Sequence, residues 1–407
     1  MIRAQATAGR LLVVTGLVLF LAYVGLFLVV LEQGRAAAAG GGEPLYTDFI
    51  QLYAASALLQ QGPAAALYSV ADLHAAYLET ARAMYGAGLT DAQARLATYS
   101  PWQYPPLFML FVYPLAWGGY FAALAGWLVV TGVPYLLAAR HALGVRFGWL
   151  LALAAPPLFF NLFQGQTGFL SAGLIGLGLA CLTSRPLLAG ILIGLAAGKP
   201  HLGVLLPLAL ACGGYWKSFA TAALTVVGLA LASALLFGLA PWQHYLGTFS
   251  YSFAVFEAGF VRLDWMVSPL GSALYAGAGP GLAQALQAVA SLAAVAVVAY
   301  AWRRRSGVDH AVRCALVCSA ALLCVPAAYL YDLTLLVPAA AWLWSDLRRR
   351  GAASWELPTL LALLALSLFQ LGIGRALQLP LGFLSVAGMF LLALHRARPV
   401  CHGLGET

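Results

Sequence analysis

Charge is what this 407-residue sequence has least of: Asp, Glu, Lys and Arg together make up 8% of it. Soluble domains carry about 25%, because a surface in water has to be solvated. Hydrophobic residues reach 63% and the mean hydropathy is +0.89. So few polar groups cannot cover a water-facing surface of this size. A soluble enzyme of two or three domains is excluded, and the chain reads as an all-α polytopic membrane protein.

Two further shortages narrow the chemistry. There are six cysteines and none lies in a polar loop: Cys181, Cys212, Cys314, Cys318 and Cys324 sit in apolar runs, and Cys401 in the tail. That pattern offers neither a disulfide framework nor a paired metal motif, and it reads as buried packing thiols. HExxH, Walker, nucleophile-elbow and dinucleotide patterns are also missing. Their absence argues against a zinc or serine hydrolase and against an ATP-driven pump on this chain.

The net charge of +8 is not distributed as in a nucleic-acid binder. The basic residues stand in short clusters between apolar runs, at Arg140 to Arg146, Arg303 to Arg305, Arg348 to Arg350, and Arg396 with Arg398. That is the placing of inner loops under the positive-inside rule.

Arg3 and Arg10 precede an apolar run over 11–31, long enough to cross a hydrocarbon core of about 30 Å. It exceeds a signal-peptide core of about 7–15 residues, which favours a retained helix with its N-terminus inside over a cleaved leader ending near Ala36 to Ala39. Further spans are expected at 119–139, 147–163, 167–183, 186–198, 201–214, 218–239, 281–301, 310–326, 329–345, 356–373 and 377–394. The total is about 11 to 13 crossings. Segments 105–117 and 265–277 are short and read as re-entrant or juxtamembrane helices. The whole is expected to form one membrane domain over 1–407. It comprises a first helix (11–31), a first outer loop (32–118), central helices (119–239), a second outer loop (240–280), C-terminal helices (281–395) and an inner tail (396–407).

The first outer loop is acidic and opens with a Gly/Ala linker. Amphipathic helices are expected at Asp48–Gln60 and Ser69–Tyr85, divided by Gly62-Pro63 and lying against the membrane surface. The second outer stretch, from Ala240 to Trp265, is rich in aromatics, as headgroup-level segments are.

The remaining unusual groups fall on the outer side. Asp48 either caps the helix that follows it or acts as an acid or base. Lys199 and His201 stand in a turn between two short apolar helices. There a cation either snorkels to headgroups or meets a phosphate. Gln164 and Gln166 follow Asn161 at a helix end and suit either sugar hydroxyls or exposed backbone. Asp332 opens an apolar helix as a cap or as a hydroxyl ligand. Arg262 and Arg375 are outward-facing cations. An acid and several cations on one face suit transfer from a lipid phosphate, the acid taking the acceptor's proton and the cations stabilising the departing phosphate. The rival from these residues alone is a transporter or flippase for lipid-linked sugars, although that class keeps its polar sites nearer the midplane.

The series Tyr46-Thr47-Asp48-Phe49 with Tyr53-Ala54, Ala66-Leu67-Tyr68 and Tyr104-Pro105-Pro106-Leu107 resembles glycosyltransferase family 87. So do Gly165-Gln166-Thr167-Gly168, Ala189-Gly190 through Gly194 to Lys199-Pro200-His201, Ser268-Pro269-Leu270, and Tyr331-Asp332-Leu333. The resemblance runs from about residue 46 to 345 and implies the GT-C fold. Members include α-mannosyltransferases that use polyprenyl-phosphate-mannose. It therefore implies inverting transfer, mannose being the first candidate, at the periplasmic face of a bacterial inner membrane, with no cofactor, metal or nucleic acid. The partners implied are a polyprenyl-phosphate-sugar donor, a glycolipid or glycan acceptor, and membrane lipids. Asp48 matches the family's general base. Lys199 and His201, with Arg262 more loosely, are the expected donor-phosphate ligands. Tyr104, Gln166 and Asp332 are expected at the sugar or acceptor. A GT-C enzyme acting on lipid A or protein is the nearest alternative.

Overall fold

A computed structural model describes residues 2–39, 47–85, 102–144, 148–257 and 261–398. Tyr46, Arg146, Cys401 and the outer-loop residues 86–101 lie outside the described residues. The chain is all-α. Its helices are α1 Ile2–Ala39, α2 Phe49–Gln61, α3 Val70–Tyr85, α4 Met109–Val112, α5 Tyr120–Leu143, α6 Gly148–Ala154, α7 Pro157–Gln164, α8 Gly168–Cys181 and α9 Pro186–Leu195. They continue with α10 Leu206–Gly213, α11 Trp216–Phe237, α12 Ala240–Glu257, α13 Pro269–Tyr275, α14 Pro280–Trp302, α15 His310–Cys324, α16 Leu336–Arg350, α17 Glu356–Leu366 and α18 Leu381–Arg396.

Among the described residues, five stretches are long and apolar enough to cross a membrane: Gly16–Ala36, Tyr120–Leu143, Trp216–Phe237, Pro280–Trp302 and Glu356–Gly374. Their side chains point outward to an extent no aqueous surface tolerates. On α11, Leu235 is 86% exposed, and Leu224, Leu231 and Leu236 are exposed beside it. Leaving one such side chain in water forgoes about 1.5–3 kcal/mol, so this face belongs to lipid. The shorter apolar helices form the interior. Helices α8, α15 and α16 bury most of their residues, including Leu179, Cys318, Leu322 and Ala340. The five described cysteines are free, as packing thiols would be.

Several boundaries differ from the periodicity reading. The expected span 147–163 is two short helices, α6 and α7, because Ala155-Pro156-Pro157 removes the amide donors that would continue α6. The 329–345 span begins as a 3-10 turn over Leu330–Leu335, and its helix runs on to Arg350. The aromatic stretch after residue 240 is a helix, α12. Helix α2 is not a surface helix. Phe49, Ile50, Gln51, Leu52, Ala54, Ala55 and Ser56 are buried around its first two turns. They pack in a second core with Leu67, Tyr77, Trp102, Phe108 and Trp127.

Part of the clustered basic charge is structural. Asp346, fully buried, accepts from Arg350 Nε at 2.5 Å and Nη2 at 2.7 Å, and from Arg396 Nε at 2.9 Å. Arg396 also reaches Glu356 at 3.2 Å, and Arg349 pairs with Asp309 at 2.8 Å. A buried carboxylate needs such partners, and these tie the C-terminal ends of α16 and α18 to the start of α17.

Candidate active site

Asp48 stands at the N-cap position of α2, yet its side chain makes no capping hydrogen bond. Its carboxylate instead accepts from Gln166 Nε2 at 3.3 Å. Its backbone N–H donates to Gln164 Oε1 at 3.0 Å. The neighbouring Thr47 hydroxyl pairs with that of Tyr120 at 3.1 Å. Of the two sequence readings for Asp48, the cap is therefore not the one adopted, and the carboxylate is left available for chemistry.

The turn between α7 and α8 brings both glutamines to this point, and its glycines explain how. Gly165 closes α7 with φ +63, and a Cβ there would lie 2.7 Å from Phe49 Cβ. A Cβ on Gly168 would overlap the Tyr331 carbonyl and lie 2.6 Å from Asn161 Oδ1. That same Asn161 oxygen accepts from the Gly168 amide at 2.8 Å. Glycine permits both the left-handed turn and the close approach. The turn is thus wedged between α2 on one side and the 330s segment on the other. Gln166 completes a chain: its Oε1 accepts from the Tyr104 hydroxyl and from the Thr167 amide, both at 3.0 Å.

Lys199 and Asp332 meet one another. Both are buried, with Nζ to Oδ1 at 2.5 Å. The ammonium also sits 4.7 Å from the centroid of the Tyr331 ring. The second Asp332 oxygen accepts from the Tyr329 amide at 3.1 Å, so both oxygens are engaged. Of the two readings of Asp332, it takes the local capping contact and adds an ion pair. The Lys199 turn is fixed from behind by Phe108, whose ring would meet a Cβ on Gly198 at 2.8 Å. His201 follows in the same 3-10 turn, and its buried Nε2 has no hydrogen-bond partner.

Arg262 is more open, 57% exposed at its side chain, and is held by Asp264 at 2.9 Å and by the face of Trp265 at 5.2 Å. Arg375 reaches the same Asp264 at 3.4 Å. The loop is anchored by Ser268, which caps α13 by accepting from Gly271 and donates to the Pro326 carbonyl at 2.5 Å. The Val267 amide bonds the Ala328 carbonyl. These contacts carry the segment of Arg262 to Ser268 to the one bearing Tyr331 and Asp332.

The electrostatics around Asp48 follow. Burial raises its carboxyl from the usual range to about 6, while the Gln166 hydrogen bond and the charges of Lys199 and Arg262 hold it down and that of Asp332 pushes it up. A carboxylate balanced near neutrality between burial and cations can accept a proton from a hydroxyl and lose it again. Among the described residues, no three His, Cys, Asp or Glu side chains converge as metal ligands would.

Sequence reasoning missed the Lys199–Asp332 pair and the parts of Tyr331 and Asp264. The Tyr-Leu-Tyr-Asp spacing was the available signal for Tyr331, but pairing across 133 positions has none.

The chain is a polytopic all-α membrane protein that holds a carboxylate and several cations in one site, an arrangement suited to group transfer. The sequence profile of glycosyltransferase family 87 matches residues 102–326, more than half of the chain, and the chain belongs to that family. It is a membrane glycosyltransferase, with a sugar donor and an acceptor as substrates. The match takes in Tyr104, Gln166, Lys199, His201 and Arg262, and leaves Asp48 and Asp332 outside it. No curated protein and no solved structure matches the chain.

Proposed function

We propose that the protein transfers one sugar, with mannose the favoured candidate, from a polyprenyl-phosphate donor to a hydroxyl of a glycolipid or glycan. The reaction takes place at the periplasmic face of a bacterial inner membrane. The observation that carries this reading is a carboxylate, Asp48, that caps no helix, accepts from Gln166 at 3.3 Å and feels the charges of Lys199 and Arg262. The acceptor oxygen attacks the anomeric carbon as the bond from that carbon to the phosphate oxygen breaks. Asp48 takes the hydroxyl proton, polyprenyl phosphate leaves, and the anomeric configuration inverts. Arg262, the open cation, meets the phosphate. Lys199 and His201 stand deeper and complete its binding, His201 through the buried nitrogen that lacks a partner. Tyr104 and Gln166 orient sugar or acceptor hydroxyls. Asp332 serves the site by holding Lys199, since both its oxygens are engaged. All 407 residues act as one domain, because the groups invoked come from segments as distant as 48 and 332.

The test is transfer by purified Asp48→Asn and wild-type protein from a panel of polyprenyl-phosphate sugars, with products identified by mass. Asp48→Asn keeps the shape and removes the base, so transfer falls by about 10²–10⁴. Near-normal transfer by the variant sinks the mechanism. Movement of intact donor across the bilayer without bond cleavage would favour a flippase instead.

A further inference from the structure

A cleft on the outer side lies apart from the charged groups above, between the first outer loop and α12. Its lining includes Tyr68, Leu73, Trp102, His244 and Thr248. Resting on the transferase reading, we propose that this cleft is the acceptor subsite and that it receives one neutral pyranose ring.

Three observations point to that occupant. The first is charge: no Lys, Arg, Asp or Glu lines the cleft. A phosphate, whether on the donor or on a phospholipid headgroup, would find no cation there, whereas Arg262, Arg375 and Lys199 lie elsewhere. The second is size. A volume of about 180 Å³ falls below the ~300–1,000 Å³ of sites for drug-sized ligands. It suits a single ring and is too short for an isoprenoid tail. The third is composition. Tyr68 supplies the accessible ring, Trp102 being almost wholly buried, and it stands with an exposed imidazole and with the Thr248 hydroxyl, which donates to the Tyr245 carbonyl at 2.7 Å and can still accept. Aromatic surface for the apolar face of a ring, with polar groups for its hydroxyls, is the combination sugars require. His244 makes no hydrogen bond to the protein among the described residues, so its ring nitrogens are open to a ligand.

The cleft also connects to the base. The Tyr68 hydroxyl donates to the Tyr104 carbonyl at 2.8 Å, and the Trp102 ring lies 5.0 Å from that of Tyr104. Tyr104 donates to Gln166, and Gln166 donates to Asp48. The path from Tyr68 to the proton acceptor is therefore three hydrogen bonds long, through the backbone carbonyl and hydroxyl of Tyr104 and the amide of Gln166. The next unit of a glycan extends from the cleft toward Asp48. His244 and Thr248 are four residues apart on α12 and share one face.

The test uses the full chain in lipid nanodiscs, free of glycoside detergents that would occupy the cleft. Saturation-transfer NMR is recorded with methyl α-D-mannopyranoside as the sugar probe and farnesyl phosphate as the isoprenoid probe. Wild-type and Asp48→Asn proteins are expected to transfer saturation equally to the pyranoside, and farnesyl phosphate is expected not to displace it. His244→Ala removes one polar partner and should weaken binding about five- to tenfold. Gly247→Phe adds bulk at a cleft-lining position where a Cβ meets nothing within 4 Å, and should abolish it. Both sites are exposed, so the fold survives either change. Absence of signal in wild type, equal signal in both variants, or displacement by farnesyl phosphate overturns the proposal. Unimpaired transfer by Asp48→Asn overturns the base mechanism instead, and leaves the sugar binding standing.

Discussion

Gln166 holds Asp48 from across 118 positions of chain: its amide nitrogen lies 3.3 Å from the carboxylate, and its amide oxygen is turned to Tyr104 and Thr167. The donors at its oxygen fix which way the amide faces. Gln166 must therefore present N–H, and not a lone pair, to Asp48. That favours the ionised carboxylate against the burial that opposes it.

The pH dependence of transfer follows from this balance. Asp48 must be ionised to act as a base, and burial holds its carboxyl at about 6. The value of kcat/KM should rise with pH through an ionisation near 6, far above an ordinary Asp. A profile flat from pH 5 to 8 would contradict it.

The same shift has a stability sign. A carboxyl raised in the folded state is neutral in both states below about 4, so its contribution is intact there. It is lost as pH rises through about 6, where the buried group must ionise. Asp48→Asn should therefore unfold at higher temperature than wild type at pH 8, by on the order of 1–3 kcal/mol, and match it at pH 4. Thermal unfolding at the two pH values checks this.

Gln166→Leu removes a hydrogen bond that lowers the Asp48 ionisation. The limb near pH 6 should move upward by about one unit, because that bond contributes on the order of 1 kcal/mol. Activity at high pH should recover more than activity at pH 6. A uniform loss at every pH would mean that Gln166 acts on substrate alone.

Lys199 and Asp332 form a buried pair, and removing one partner strands the other. Lys199→Met or Asp332→Asn alone should cost about 3–5 kcal/mol, while the double variant should regain much of that loss. Chemical denaturation of the three variants reads the coupling. Additive losses would show that the two residues do not depend on one another.

Gly168→Ala forces a Cβ into the Tyr331 carbonyl and Asn161. Backbone cannot yield as a side-chain end can, so a loss of about 1–3 kcal/mol is expected. Gly228→Ala, at a helical position with nothing within 4 Å, serves as the neutral control. Equal thermal stability of the two variants would show that the turn is not wedged.

The membrane class and most helices were legible because a bilayer leaves their signature in composition: apolar runs of spanning length, with basic clusters between them. Asp48, Gln166 and Lys199 stood out because polar groups are scarce. What could not be read depends on contacts between distant segments. The burial of α2 was missed because its alternating Ala, Leu and Tyr also fit a surface helix, and only the packing of Trp102 and Phe108 over it decides otherwise. The break at Pro156-Pro157 was in plain sight, but the hydropathy across it is continuous. The engagement of Asp332 by Lys199 leaves no local trace, since either residue alone reads as a cap or a snorkelling cation.

The ion pair between Lys199 and Asp332 also bears on how the chain is made. Synthesis reaches Lys199 well before Asp332, so for that interval the cation has no counter-charge. The lysine half of the site must wait in water, or at the headgroups, until the helix after Tyr329 arrives to draw it in. A chain stopped short of that helix would carry the base and its glutamine but no closed site. On the proposed mechanism, sugar transfer thus waits until the chain has been inserted through Asp332, with α17 and α18 still to follow.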